Sequence, residues 1–156
     1  MVDAPTRVTC LKGLPRAEPV AGIEYRMFVQ RFDRMPEWGK LTPAASGRTE
    51  RFDITPFAAN PAFGVQWKGF LKIEREGLYS FTLGSDDGSV LRIAGAVVVE
   101  NDGPHPYSER TAKAYLAPGA YPFEIGYFES GGAERFEAWF EGPGISRRRL
   151  DEGVVK

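Results

Sequence analysis

One cysteine and one histidine among 156 residues leave thiol and imidazole chemistry little to work with. Cys10 has no partner for an internal disulfide, so its thiol is either a bystander or open to another molecule. A Cys-His nucleophile would need Cys10 and His105 to meet in space, and there is no His/Cys cluster of the kind that holds zinc. A dominant charge is missing too. Twenty basic side chains stand against 21 acidic ones, a net charge of -1, so no overall field draws nucleic acid or an anionic membrane. No apolar run approaches the roughly 20 residues that span a bilayer. Met1-Val2-Asp3-Ala4-Pro5 has neither the basic nor the apolar part of a secretory signal, so none is expected. No glycine-rich phosphate cradle opens a helix.

What the chain does have is turn residues and rings: 18 Gly, 12 Pro and 13% aromatics. Apolar residues alternate along short stretches between the turns, the pattern of half-buried strands. Strands are expected over Ile23 to Val29, Arg48 to Ile54, Phe63 to Ile73, Leu78 to Leu83, Thr111 to Leu116, Tyr121 to Phe128 and Arg135 to Glu141. The clearest is Phe63 to Ile73, with Phe63, Val65, Trp67, Gly69, Leu71 and Ile73 on one face. Between Phe32 and Ala45, Met35-Pro36, Trp38-Gly39 and Thr42-Pro43 forbid a long helix but allow one short turn. Trp38 and Leu41 of that excursion are expected to pack on the sheet. The fold class is therefore all-β, an antiparallel sandwich or barrel with few helical turns. Residues 1-21 read as an arm, 22-146 as the domain, and 147-156 as a solvated tail with Gly142-Pro143-Gly144 closing the sheet.

The organising stretch is Gly77 to Asn101. It reads as a strand, the polar link Ser85-Asp86-Asp87-Gly88-Ser89, a second strand, and a turn at Ala94-Gly95 into a short hairpin that continues the sheet. Asp86 and Asp87 offer two hard oxygen ligands of the kind Ca²⁺ takes. Equally, carboxylates in a tight turn fasten it by accepting backbone N-H bonds, with Gly88 free to take positive φ. Asp102 and His105, in the proline-stiffened loop Asn101 to Pro106, either contact a ligand beside Asp86 and Asp87 or simply hold their own turn. Phe70 and Trp139 stand opposite the apolar faces of their strands. They serve as platforms for pyranose rings, as surface for a protein partner, or as cover for a second sheet. Adjacent aspartates point apart, whereas glycosidase carboxylates face each other across roughly 5 to 10 Å, so no enzyme is expected.

Several of these segments carry a family resemblance: Gly77-Leu78-Tyr79-Ser80-Phe81, Ser85-Asp86-Asp87-Gly88-Ser89, and Val97 through Gly103 with His105. Downstream lie Leu116-Ala117-Pro118-Gly119, Tyr127-Phe128-Glu129-Ser130-Gly131-Gly132 and Trp139-Phe140-Glu141-Gly142-Pro143-Gly144. Upstream lie Gly22-Ile23-Glu24-Tyr25-Arg26 and Trp67-Lys68-Gly69-Phe70-Leu71. Over about residues 22 to 146 the chain resembles the domain named after the N-terminal fragment of anthrax protective antigen, found also in adhesins, flocculins and glycoside hydrolases. The resemblance implies a jelly-roll-like sandwich, an extracellular or cell-surface setting, and a lectin-like accessory module that binds a glycan or polysaccharide. It also implies that Asp86 and Asp87 hold Ca²⁺ with a second loop. That loop corresponds to Glu129 to Glu134, which has no Asn or Asp, so Glu129 or Glu134 is the available substitute. The expected ligand site is Asp86, Asp87, Asp102, His105 and Trp139, with Asp86, Asp87 and Glu129 on the metal. The alternative is a structural or assembly module that meets a parent or partner protein through its sheet faces and arm.

Overall fold

A computed structural model describes residues 8-11 and 18-156. In chain order the strands are β1 (Val8–Cys10), β2 (Ile23–Phe28), β3 (Ala45–Thr49), β4 (Phe63–Ile73), β5 (Gly77–Asp86) and β6 (Ser89–Ile93). Then follow β7 (Ala96–Asn101), β8 (Ser108–Leu116), β9 (Gly119–Glu129), β10 (Arg135–Gly142) and β11 (Ile145–Arg149). They form a five-stranded sheet, β1-β8-β5-β10-β11, and a six-stranded one, β3-β2-β4-β9-β6-β7. Pairing is antiparallel except between β1 and β8.

Because side chains alternate along a strand, each sheet turns one apolar face inward. Val65, Trp67 and Leu71 of β4, Tyr79, Phe81 and Leu83 of β5, and Phe123, Ile125 and Tyr127 of β9 are all buried there. Trp67 packs on Phe136 at 5.0 Å between ring centroids, and Tyr127 on the same ring at 5.3 Å. A second cluster lies outside the six-stranded sheet. Phe28, Phe32, Trp38 and Phe128 are buried together, with Met35 and Leu41 against them. The predicted excursion thus packs as expected, around a single 3-10 turn at Trp38–Lys40. It lies flat because Gly126 has no side chain: a Cβ there would run into the Met35 sulfur and the Trp38 indole.

Four expectations need correction. The strand placed at Arg48 to Ile54 lies earlier, at Ala45–Thr49, while Phe52 and Ile54 pack on the core from irregular backbone. Val29 falls beyond the end of β2 and is exposed. The link Ser85 to Ser89 does not join neighbours in one sheet: β5 belongs to the five-stranded sheet and β6 to the six-stranded one, so the hairpin continues the opposite layer. The C-terminal residues are not simply solvated. Gly142-Pro143-Gly144 leads into β11, and Leu150 and Val154 are buried in the core, Val154 bridging to Leu71. Of the arm, Val8–Cys10 adds a strand and Leu11 is buried; residues 1-7 and 12-17 lie outside the described residues.

Candidate functional site

The crossing between the sheets brings three acids together at one end of the sandwich. β5 ends at Asp86, β6 begins at Ser89, and β9, paired with β6 from Ser89↔Tyr127, ends beside them at Glu129. One carboxylate oxygen from each of Asp86, Asp87 and Glu129 lies within 4.8 Å of the others. The Asp86-Asp87 peptide bond is cis. Gly88 permits this closeness, since a Cβ there would meet the Phe128 ring and come within 2.9 Å of the Gly103 nitrogen.

The three carboxylates are held differently. Asp87 is fastened on both oxygens: Oδ1 accepts the His105 backbone N-H at 3.0 Å, and Oδ2 accepts the Ser130 N-H at 2.9 Å and its hydroxyl at 3.0 Å. Asp86 is half-buried, and its carbonyl accepts the Tyr127 hydroxyl at 2.6 Å. Burial, and next the charge of Asp87, push the Asp86 carboxyl above its usual range. Glu129 is fully buried; its Oε1 accepts the Gly131 N-H at 2.8 Å, while Oε2 is buried with no partner. Burial first, partly offset by the Gly131 bond and reinforced by Asp87, through its charge and a carboxyl-to-carboxylate hydrogen bond, and by the Asp86 charge, pushes Glu129 up to about 8.

An unpaired buried carboxyl oxygen is costly, and two further acids beside it sharpen that cost. The donor set is all oxygen, which suits a hard divalent cation such as Ca²⁺. The one imidazole nearby is otherwise engaged. His105 Nε2 lies 2.9 Å from the Asn101 carbonyl, and Nδ1 lies 2.7 Å from the Pro106 carbonyl.

Of the residues expected at the site, the fold brings together Asp86, Asp87, Glu129 and the His105 backbone. Asp102 is turned elsewhere: both its oxygens accept the Met35 N-H, at 2.9 and 3.1 Å, tying the excursion down. Trp139 is not brought to the cluster. It lies four positions along β10 from Arg135, the partner of Asp86, which is about 13 Å of strand. Arg147 covers its ring at 4.5 Å. Sequence reasoning passed over the supporting polar residues. The Asn101 amide donates to the Ser108 carbonyl at 3.0 Å and to the Ser85 hydroxyl at 3.2 Å, and Ser85 bonds Ser89 at 2.7 Å across the link. Ser85 and Ser89 stood in the motif, but only the sheet crossing shows that their side chains meet.

Comparison with known proteins agrees with the two-sheet fold. The family model for the PA14 domain matches residues 53-147. The fold is similar to that of a PA14 sugar-binding domain from an RTX adhesin, at 17% identity and a TM-score of 0.70, over 87% of this chain and 98% of that one. It is also similar to the Epithelial Adhesin 9 A domain from Candida glabrata, solved with Galb1-4GlcNAc, at 14% identity and a TM-score of 0.65, over 90% of this chain and 94% of that one. A β-glucosidase from Kluyveromyces marxianus matches at 20% identity and a TM-score of 0.57, over 78% of this chain but 16% of the enzyme. No curated protein matches by sequence.

Proposed function

The chain belongs to the PA14 domain family, and from that premise we propose that it is a non-catalytic carbohydrate-binding module that uses Ca²⁺ held by Asp86, Asp87 and Glu129. The observation that carries this reading is the partnerless, buried Oε2 of Glu129 beside the two aspartates. Nearly all buried polar atoms in native proteins have a partner, and a bound cation would supply the one this oxygen lacks. When bound, Ca²⁺ offsets the three negative charges and offers open positions to a pair of vicinal sugar hydroxyls.

The chain's own residues do the positioning. Ser130 and His105 hold Asp87 from two sides, and the Tyr127 hydroxyl fixes the backbone at Asp86, so the oxygens are set before a ligand arrives. Half-buried Asp86 is the acid nearest solvent and marks the side from which a sugar enters. The setting is extracellular or cell-surface, where millimolar calcium is available. The sugar-binding adhesin domains of the same fold support the partner class.

The test is a glycan array probed with the purified chain in millimolar Ca²⁺ and again in EDTA. Binding that appears in calcium, disappears in EDTA and is lost in Asp86→Ala/Asp87→Ala supports the reading. Binding unaffected by both would leave the carboxylates as turn fasteners.

A further inference from the structure

We propose that the outer face of the six-stranded sheet carries a second saccharide site, for a sugar bearing a carboxylate or sulfate group, that works without calcium. The ligand class rests on the carbohydrate reading above; the site rests on separate residues. The pairing registers put five charged residues in one cross-strand row: Arg48 of β3 opposite Glu24 of β2, Glu24 opposite Lys68 of β4, Lys68 opposite Glu124 of β9, and Glu124 opposite Arg92 of β6. Signs alternate along the row, as cross-strand pairing favours, and cations outnumber carboxylates by three to two. Arg48 donates to the Ala21 carbonyl at 3.0 Å, and Glu124 accepts from Gln66 at 3.2 Å. Among the described residues, the Lys68 and Arg92 side chains make no hydrogen bond or ion pair.

The row borders a groove of about 390 Å³, within the usual range for small-ligand sites. Its floor is apolar. Phe70 and Pro122 are direct cross-strand partners on the outer face, one step beyond the charged row, and both line the groove. A pyranose can lay its C-H face on such a floor while its hydroxyls donate to Glu24 or Glu124 and its anionic substituent meets Lys68 and Arg92. A second hollow of about 230 Å³ shares Arg92 and Glu124 with the first and runs toward Met35 and Asp102, which gives room for an oligosaccharide. Pro122 and Glu129 are seven residues apart along β9, about 23 Å, so this site and the acidic cluster do not compete.

Titration calorimetry in EDTA and low salt tests this, using tetragalacturonate, its methyl ester as the uncharged control, and a heparin-derived tetrasaccharide. The expected result is binding of one or both anionic probes, weakened by salt and absent for the ester, and tenfold or more weaker in Lys68→Gln/Arg92→Gln. Asp86→Ala/Asp87→Ala should bind these probes as the unchanged chain does. Binding of the galacturonate alone assigns the site to carboxylated sugars, and of the heparin fragment alone to sulfated ones. The proposal is overturned if neither anionic probe binds at millimolar concentration, if the ester binds equally, if Lys68→Gln/Arg92→Gln has no effect, or if sedimentation shows a dimer that this variant dissolves. None of these outcomes bears on calcium-dependent binding at Asp86, which the array reads independently.

Discussion

At the end of the sandwich where β4 turns into β5 and β8 into β9, Tyr79 and Tyr121 carry their hydroxyls into the protein and each finds a partner. Tyr79 donates to the Arg75 carbonyl at 2.6 Å; Tyr121 donates to the Ala117 carbonyl at 2.9 Å and accepts the Ala117 N-H at 3.1 Å. At the opposite end, Glu129 is just as buried, yet one of its oxygens has no partner and two more carboxylates crowd it. The same strands, β5 and β9, supply both ends. Packing in this fold can therefore satisfy buried polar atoms, and the exception is where the proposed cation would sit.

Adding a cation to that exception is the strongest way to test the contrast. Calcium at a hundred times its dissociation constant, bound only to the folded chain, adds about 2.7 kcal/mol, roughly 5 to 10 °C in melting temperature at this size. Thermal melting after chelation, with and without millimolar Ca²⁺, reads it; an unmoved melting curve would erase the distinction between the two ends. Glu129→Gln should abolish the calcium response.

The same substitution should remove a pH dependence. In EDTA the folded chain keeps a proton on Glu129 up to about 8, whereas an unfolded glutamate releases it near 4.5. Between those values the native state binds more protons than the unfolded one, so this contribution to stability is complete below about 4.5 and is lost as pH rises to about 8. Glu129→Gln should flatten that fall, and saturating Ca²⁺ should oppose it by taking the proton's place. A metal-free melting temperature that rises from pH 5 to 8 would contradict the assignment of Glu129 as the strained acid. At the satisfied end the effect falls on stability and not on the calcium response. Tyr121→Phe loses two bonds and strands the Ala117 N-H, costing about 1 to 3 kcal/mol, while the calcium shift stays intact.

Much of the sandwich was legible because its signal is local. Alternation in Phe63 to Ile73 marks β4 from end to end, and Trp38 and Leu41 were expected against the sheet, where they lie. What escaped depends on pairing. Nothing in Ser85 to Ser89 says that its flanking strands enter different sheets, because a two-sheet crossing and a hairpin use the same turn residues. Leu150 and Val154 follow a run of arginines and read as solvent-facing until β11 folds them back onto β4 and β10. At the site, the adjacency of Asp86 and Asp87 was visible and Glu129 could be placed with them by resemblance. The row from Arg48 to Arg92 could not be seen, since its five residues come from five strands and meet only through the register.

Asp102 gives the finest division between a carboxylate that fastens and one that binds. It stands near Asp87 in the same end loops, yet both its oxygens accept the Met35 N-H, which anchors the excursion carrying Phe32 and Trp38 over the sheet, and Oδ1 also accepts the Gly103 N-H at 2.7 Å within its own turn. Asp102→Asn keeps the size and one acceptor but loses the charge, so it should cost about 1 kcal/mol, the difference between a charge-assisted bond and a neutral one. Hydrogen exchange should quicken at the Met35 amide and in the Trp38 turn, because the weakened bond is the long-range tie of that segment to the β7-β8 loop. The calcium-induced rise in melting temperature should be unchanged. A reduced rise would move Asp102 from the fastening group to the binding group, and would mean that the excursion and the acidic cluster act as one unit.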